Sequence, residues 1–425
     1  MERAVLVGIN LDDGTDFDRS MKELKALAEA CYMEVVGIVT QNLPYVHKAF
    51  YIGSGKVEEV AELANNLDAD VIVFDNPLSP AQLGNLKDAT KKAVLDRTNL
   101  ILQIFSTRAR TREAKLQVEV ANLQYLLPRL VGAYDALSRQ GGGSGAMSNK
   151  GSGEKKLELD RRRIEKRLTQ LRRELKEVEG ERITQRKSRM KSDLAVVALV
   201  GYTNAGKSSI MNGLLAFANE DEEKQVFEEN MLFATLDTTV RKIDVPQKKG
   251  FLLTDTVGFI DKLPHQLVKA FHSTLEEVKS ADLLLHVVDI SDPDYKEHIR
   301  VTKETLHELE ADDIPSIVVF NKCDLTDRAD NVKELLETED LSHVDRIFTS
   351  AKDEDTIPYL AQLINRLAYP EDKACELLIP FTDGNIYSYL KNNATILQEE
   401  FRAEGTWVKV CLSSADQGRF EKYIL

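Results

Sequence analysis

The chain has 425 residues, 43% hydrophobic and 30% charged, a balance of soluble globular domains that excludes collagen-like, mucin-like and wholly disordered chains. No apolar run nears the ~18 residues of a membrane span, no secretory pattern opens the chain, and Cys31, Cys323, Cys375 and Cys411 form no CxxC pair, so free thiols in a reducing cytoplasm are expected. The formal net charge of −14 argues against binding nucleic acid over the whole surface.

At about 100–200 residues per domain, the length holds two to four domains. Residues 1–110 alternate apolar runs (4–9, 33–40, 69–75, 99–105) with helical patterns (21–31, 57–66, 80–92). Strands alternating with helices predict βαβ units and a parallel sheet. Residues 111–192 change character. Leu116, Val120, Leu123, Leu127 and Leu130 step by four and three, as do Ile164, Leu168, Leu171, Leu175 and Val178. Each series is a narrow apolar seam on a helix. The Gly/Ser-rich stretch GGGSGAMSNKGSG (141–153) joins the two, which predicts an antiparallel helical hairpin. The charge is uneven here: residues 105–191 hold 22 Lys and Arg against 11 Asp and Glu, whereas the remainder holds 34 against 59. A local polyanion contact and a solvated Arg-rich helical surface both give that pattern. The cations concentrate on the second helix, at Arg161, Arg162, Arg163, Lys166, Arg167, Arg172 and Arg173. Residues 193–368 return to α/β alternation, with strong strands over 194–200, 282–290 and 316–321. Residues 369–425, with strands at 376–381 and 406–413 around a helix at 385–390, predict a small α+β domain.

Gly201-Tyr202-Thr203-Asn204-Ala205-Gly206-Lys207-Ser208 follows the strand LAVVALV and opens a helix. GxxxxGK[ST] in a strand–loop–helix setting is a phosphate loop. Its backbone N–H groups and helix N-terminus face phosphate oxygens, Lys207 reaches the β and γ phosphates, and Ser208 offers a hydroxyl to Mg²⁺. A second pattern, Gly53-Ser54-Gly55-Lys56, lacks that spacing and reads as a turn with a Ser cap on the following helix.

Asp255-Thr256-Val257-Gly258 ends the strand GFLLT. Asp255 can hold Mg²⁺ through water, and Gly258 can turn its N–H onto a γ-phosphate. Asn321-Lys322-Cys323-Asp324 ends SIVVFN. A carboxylate at Asp324 accepts from both N1–H and the 2-amino group of guanine, a donor pair that adenine lacks, so the motif selects GTP over ATP. Asn321 ties this loop to the phosphate loop, and the Lys322 stem covers the base. Ser350-Ala351-Lys352 closes RIFTS, where backbone N–H groups read guanine O6 and the Lys352 stem covers the other face. Between the first helix and Asp255 lies Phe233-Ala234-Thr235-Leu236-Asp237-Thr238-Thr239. One Thr hydroxyl there completes the Mg²⁺ shell; by spacing, Thr235, Thr238 and Thr239 compete. Gly258 is followed by Phe259, where many GTPases place a water-orienting Gln. A phenyl ring cannot orient water, so slow intrinsic turnover with outside acceleration is expected.

These motifs make a translation-factor-class GTPase, and the flanking stretches resemble the HflX GTPases. The matching runs are YIGSGKVEEV (51–60), LSPAQLGNL (78–86), LDRTNLILQIFSTRARTREAKLQVEVANLQYLLPRL (95–130), LSRQGGG (137–143), LELDRRRI (157–164), VGYTNAGKS (200–208), FATLDTTVR (233–241) and DTVGFI (255–260). The resemblance implies a cytoplasmic, monomeric, ribosome-associated GTPase, with peripheral membrane association kept open. Its ligands would be GTP/GDP and Mg²⁺. It implies binding to the large ribosomal subunit and splitting or rescue of stalled ribosomes, with the hairpin approaching ribosomal RNA near the peptidyl-transferase region. It favours Thr235 as the second protein ligand of Mg²⁺ beside Ser208, and a catalytic set of Lys207, Ser208, Thr235 and Gly258. The loop SGAMSNKGSGE (144–154) departs from the GTRGPGE-type sequence of the family. Two other readings stand beside this one: a nucleotide-gated ribosome-assembly scaffold, and an ATP-dependent RNA remodeller acting through the N-terminal domain.

Overall fold

A computed structural model describes the chain except residues 13, 15, 141–146, 190–193, 219–231, 234–235, 237, 247, 263–276, 327–344 and 354, and gives backbone alone over 131–140, 147–157, 179 and 182–189. It divides into two compact units. The first is 1–181 with short pieces at 231–236 and 262–272; the second is the rest.

The first unit runs β1 (Glu2–Asn10), α1 (Phe17–Ala30), β2 (Met33–Asn42), α2 (Ser54–Asn66), β3 (Val71–Phe74), α3 (Pro80–Thr90), β4 (Ala93–Asp96) and α4 (Arg97–Arg108). Its strands form a parallel sheet in the order β2-β1-β3-β4. Strand order reverses between β1 and β3, the place where such sheets open a crevice outside the strand ends. Val5, Val7, Ile72 and Phe74 pack under Val57, Val60 and Ala64 of α2.

Two expectations are corrected here. Residues 99–105 are helix α4, not a strand, because the Asp96 carboxylate caps the turn, accepting from the Asn99 N–H at 2.9 Å. The helix buries Leu100, Ile101, Leu102, Ile104 and Phe105, and a helix buried on most sides reads like a buried strand. The fourth strand is the short β4 just before it. Ser54 does not cap α2: the N-cap is Gly53, whose N–H donates to Gln41 Oε1 at 3.0 Å.

The hairpin is α5 (Arg112–Gln140) and α6 (Met147–Arg189). Leu116, Val120, Leu168 and Leu171 are its buried seam, and Arg167 makes a forked pair with Glu119 at 2.7 and 2.8 Å. The predicted loop over 141–153 is shorter: α6 begins at Met147 and carries Gly151 and Gly153, each at a cost of about 1 kcal/mol relative to Ala. Residues 141–146 lie outside the described residues. The root of the hairpin is bolted to the sheet. Tyr125 Oη donates to Asp96 Oδ1 at 2.8 Å, and Arg129 Nη2 to Asp96 Oδ2 at 3.0 Å, with the guanidinium 3.4 Å above the Tyr125 ring. Several α6 arginines already pair locally: Arg161 with Glu165, Arg162 with Glu158, Arg163 with Asp160 and Arg173 with Glu177. Exposed pairs of this kind hold little energy and exchange readily for phosphate.

The second unit holds β5 (Val196–Val200), α7 (Lys207–Phe217), β6 (Thr239–Ile243), β7 (Phe251–Asp255), β8 (Leu283–Asp289), α8 (Tyr295–Glu308), β9 (Ser316–Asn321), β10 (Asp345–Phe348) and α9 (Thr356–Ala368). The sheet order is β10-β9-β8-β5-β7-β6, parallel except for β6. Leu199, Leu253, Val287 and Val319 face α7 and α9, while Ala198, Val200 and Leu284 face Leu306 and Leu309. The chain continues into β11 (Lys373–Ile379), α10 (Gly384–Asn393), β12 (Thr395–Arg402), β13 (Gly405–Leu412) and α11 (Ser414–Arg419). Its antiparallel sheet has the order β11-β13-β12. Tyr369 anchors this appendage, accepting from the Ala195 N–H at 2.9 Å and donating to the Gly250 carbonyl at 2.5 Å. Among the described residues no helix is long and apolar enough to cross a membrane.

Candidate nucleotide site

The loop between β5 and α7 bends at Gly206, whose φ of +92° is left-handed, and a Cβ there would lie 2.2 Å from Asn321 Nδ2. Only glycine fits both demands. The loop's N–H groups and the first turn of α7 thus face one concavity. Lys207 is buried, and its ammonium donates to the Gly201 and Tyr202 carbonyls at 3.1 and 2.8 Å. Burial pushes its pKa down from 10.5 to about 8, with the Asp255 charge opposing. Ser208 Oγ donates to Asp255 Oδ2 at 2.7 Å. A hydroxyl and a carboxylate beside a phosphate cradle form a hard oxygen donor set, which fits Mg²⁺.

Asn321 is buried at the end of β9 and holds two loops together. Its Nδ2 donates to the Ala205 carbonyl at 2.9 Å, and its Oδ1 accepts from the Ala351 N–H at 3.0 Å. Lys322, at φ +63°, extends its ammonium to the Asn204 carbonyl at 2.9 Å and Asp289 Oδ2 at 2.6 Å. Asp289, at the end of β8, was not singled out from sequence, although a strand-end Asp beside a phosphate loop is a signal. Next to this frame is a cavity of about 390 Å³ lined by Cys323, Asp324, Ser350 and Lys352 with Phe348 and Thr349. The NKCD and SAK residues therefore meet at one cavity, tied through Asn321 to the phosphate loop. Burial raises the Cys323 thiol pKa, so the thiol stays protonated at neutral pH.

Asp255, Thr256 and Val257 are buried at the end of β7, and Thr256 Oγ1 donates to the Leu199 carbonyl at 2.6 Å. Gly258 lies against the loop: a Cβ there would meet Thr203 Cα at 2.7 Å and Lys207 Nζ at 3.0 Å. Phe259 continues as a short parallel bridge to Tyr202. Its N–H donates to the Gly201 carbonyl at 3.1 Å, and its carbonyl accepts from the Thr203 N–H at 2.7 Å. The Phe259 ring is buried in the core cluster with Val200, Val278, Leu284 and Leu306. Tyr202 stacks on His298 at 3.9 Å, and its hydroxyl accepts from the Asp261 N–H at 2.9 Å, contacts that no spacing rule announces. His286, buried on β8, has its pKa pushed down to about 3, first by burial and then by Lys303 and Lys207, and is neutral.

Of the segment 233–239, Ala234, Thr235 and Asp237 lie outside the described residues. Phe233 and Leu236 are buried in the first unit, with the Phe233 ring edge-on to Phe105 at 4.8 Å. The structure thus gathers 201–208, 255–258, 321–324 and 350–352 in the second unit, whereas Phe233 and Leu236 belong to the first.

A family model for the N-terminal part of GTP-binding GTPases matches residues 18–106, one for their middle region matches 108–189, and one for 50S ribosome-binding GTPases matches 196–322. GTPase HflX of Caldanaerobacter subterraneus subsp. tengcongensis is 43% identical over the whole chain and 94% of its own length. GTPase HflX of Escherichia coli is 38% identical over 95% of this chain and 92% of its own length. Among solved structures, a GTP-binding protein of Sulfolobus solfataricus in complex with GDP is 25% identical, covering 87% of this chain and 99% of that one, with a TM-score of 0.45.

Proposed function

The chain belongs to the HflX family of GTPases, and on that premise we propose that it hydrolyses GTP as a timed switch on the large ribosomal subunit in the cytoplasm, splitting or rescuing stalled ribosomes. The observation that carries the nucleotide half is Asn321, which holds the phosphate loop and the Ala351 loop in one frame beside the Asp324 cavity. In that frame Asp324 accepts from guanine N1–H and the 2-amino group, while Lys322, Cys323 and the Ser350–Lys352 turn enclose the base. The N–H groups of 204–208 hold the phosphates, and Lys207 leaves its own loop carbonyls for the β and γ oxygens. Ser208 and Thr235 would hold Mg²⁺, with Asp255 behind Ser208; when bound, the ion would supply positive charge to offset the charge developed in phosphoryl transfer. Ala234, Leu236 and Asp237 flank Thr235 in the switch segment, and Gly258 turns its N–H toward the γ-phosphate.

The Phe259 ring packs in the core, so its side chain takes no part in orienting water. Basal hydrolysis is therefore slow, and the accelerating group comes from the partner. The division of labour follows the chain. Residues 193–368 are the switch, the basic hairpin at 111–192 reaches ribosomal RNA, and domains 1–110 and 369–425 flank them. The match to a model of 50S-binding GTPases supports this partner. Co-sedimentation with purified large subunits tests the reading. Pelleting should be strong with a non-hydrolysable GTP analogue and weak with GDP; equal pelleting would remove the switch from the proposal.

A further inference from the structure

A cavity of about 590 Å³ lies at the seam between the GTPase fold and the C-terminal sheet, and all the residues that line it belong to the second unit. It shares no residue with the Asp324 cavity. One wall is a stripe of α9. Tyr359, Gln362 and Arg366 recur there at three- and four-residue steps, on the side of the helix opposite Ile357, Leu360 and Ile364, which pack in the core. The facing wall is Thr395 of β12 and Cys411 of β13, partners across the sheet. Lys248, on the turn between β6 and β7, and Asp372, just before β11, complete it.

Buried polar contacts fix these walls in advance. Asn365 donates from Nδ2 to the Lys249 carbonyl and accepts at Oδ1 from Thr395 Oγ1 at 3.4 Å, while the Lys249 N–H donates to Thr395 Oγ1 at 3.2 Å. Lys249 is itself buried, with its ammonium 4.5 Å from the centre of the Tyr369 ring. The lining groups are less engaged. Among the described residues the half-buried Lys248 ammonium has no ion pair or hydrogen-bond partner, and neither the ring nor the hydroxyl of the exposed Tyr359 has one. Arg366 pairs with Asp345 at 3.3 Å, both exposed, an arrangement that exchanges readily for another anion. Lys248 and Asp372 sit at the same end as Cys411. Burial raises that thiol's pKa most, the Asp372 charge raises it further and the Lys248 charge opposes.

We propose that this seam is a second small-molecule site, for a nucleoside monophosphate: Lys248 and Arg366 take the phosphate, Asp372 accepts from the ribose hydroxyls, and Tyr359 stacks on the base. Two cations against one carboxylate leave a positive excess that suits one phosphate group. The carboxylate requires that the same ligand also bring hydroxyl donors, which inorganic phosphate lacks. A free aromatic face offers stacking to any planar base. The volume falls within the range of about 300–1,000 Å³ usual for small-ligand sites. No glycine loop or helix N-terminus lines the cavity, so it has no cradle for a triphosphate. The inference goes beyond the GTP switch and uses none of its residues.

The test is calorimetric titration of the full chain, with GDP and Mg²⁺ saturating the phosphate loop. The probes are AMP, whose base Asp324 cannot read, and inorganic phosphate. AMP should bind once per chain with a Kd below about 1 mM, and inorganic phosphate at least about tenfold more weakly. Lys248→Ala and Arg366→Ala should each weaken AMP about tenfold, the loss of one charge-assisted contact. Tyr359→Ala should weaken AMP about fivefold and leave phosphate unchanged. Asp372→Asn should tighten phosphate and narrow the preference for AMP. Each variant should keep the wild-type melting temperature and GDP affinity; where Lys248→Ala melts early, Lys248→Gln replaces it. Four results would overturn the site: no binding of AMP at about 10 mM, AMP binding no tighter than phosphate, AMP binding that more GDP displaces, or AMP affinity within about twofold of wild type in the Lys248 and Arg366 variants.

Discussion

Asn321→Ala removes the strut between the phosphate loop and the Ser350–Lys352 turn. The wild-type amide makes two bonds, 2.9 Å to the Ala205 carbonyl and 3.0 Å from the Ala351 N–H. Asn321 is 1% exposed, so truncation strands a carbonyl and an N–H with little water to replace their partner. Each such group costs about 1–3 kcal/mol. The loops recover part of this by relaxing, which leaves about 2–4 kcal/mol against the binding-competent arrangement. At about 1.4 kcal/mol per factor of ten, GDP affinity should fall roughly 30- to 1000-fold. GTP should weaken by the same factor, because Asn321 supports the base and the loop and does not touch the γ-phosphate corner. Fluorescent-nucleotide titration beside a thermal melt measures both. Asn321→Asp keeps the Ala351 contact but sets a carboxylate against the Ala205 carbonyl, so it should be as damaging or worse. A loss below threefold, or one confined to GTP, would refute the view of Asn321 as a frame shared by two loops.

Asp324→Asn exchanges an acceptor for a donor at the base and should move preference from guanine toward xanthine nucleotides; a competition titration with no gain for the xanthine nucleotide would discard Asp324 as the base reader. Lys207, with its pKa lowered by burial to about 8, should make nucleotide affinity flat below that pH and falling by up to about tenfold per unit above it, since bound phosphate requires the ammonium. For folding the sign is opposite: between about 8 and 10.5 the unfolded chain binds the proton more tightly, so the cost of burying Lys207 is fully present below 8 and fades as pH rises. Phe259→Ala should cost about 3–5 kcal/mol of stability by emptying a core site, seen as a lower melting temperature, whereas Phe259→Leu should keep basal turnover. Loss of basal turnover in Phe259→Leu with unchanged melting and nucleotide affinity would make that ring catalytic.

The parts legible in the sequence are those in which chemistry dictates residue type at fixed spacing. A phosphate cradle needs Gly206, Lys207 and Ser208 after a strand, and the structure gathers them with Asn321 and Asp324 as the motif order implies. The two hairpin seams were legible because a 3.5-residue period has one structural meaning. Elsewhere local pattern was ambiguous. Residues 99–105 carry apolar side chains on most sides, so the deciding element was the Asp96 cap. Strand β12 was missed because TILQEEFR lies largely exposed at the sheet edge and shows no alternation. The placement of Phe233 and Lys262 in the first unit depends on partners at Phe105 and Asp75, far away in sequence, and no local pattern encodes it.

The central claim is a GTP switch that a large ribosomal subunit accelerates. The direct measurement is steady-state GTP hydrolysis by the full chain, alone and with purified large subunits, at matched Mg²⁺ and low salt. With the Phe259 ring packed away and no side chain there to orient water, the chain alone should turn over slowly, and large subunits should raise the rate at least about tenfold. Added salt should diminish that gain as phosphate contacts to the Arg-rich α6 are screened. A rate that purified large subunits leave unchanged, in a preparation that binds GTP normally, would contradict the account.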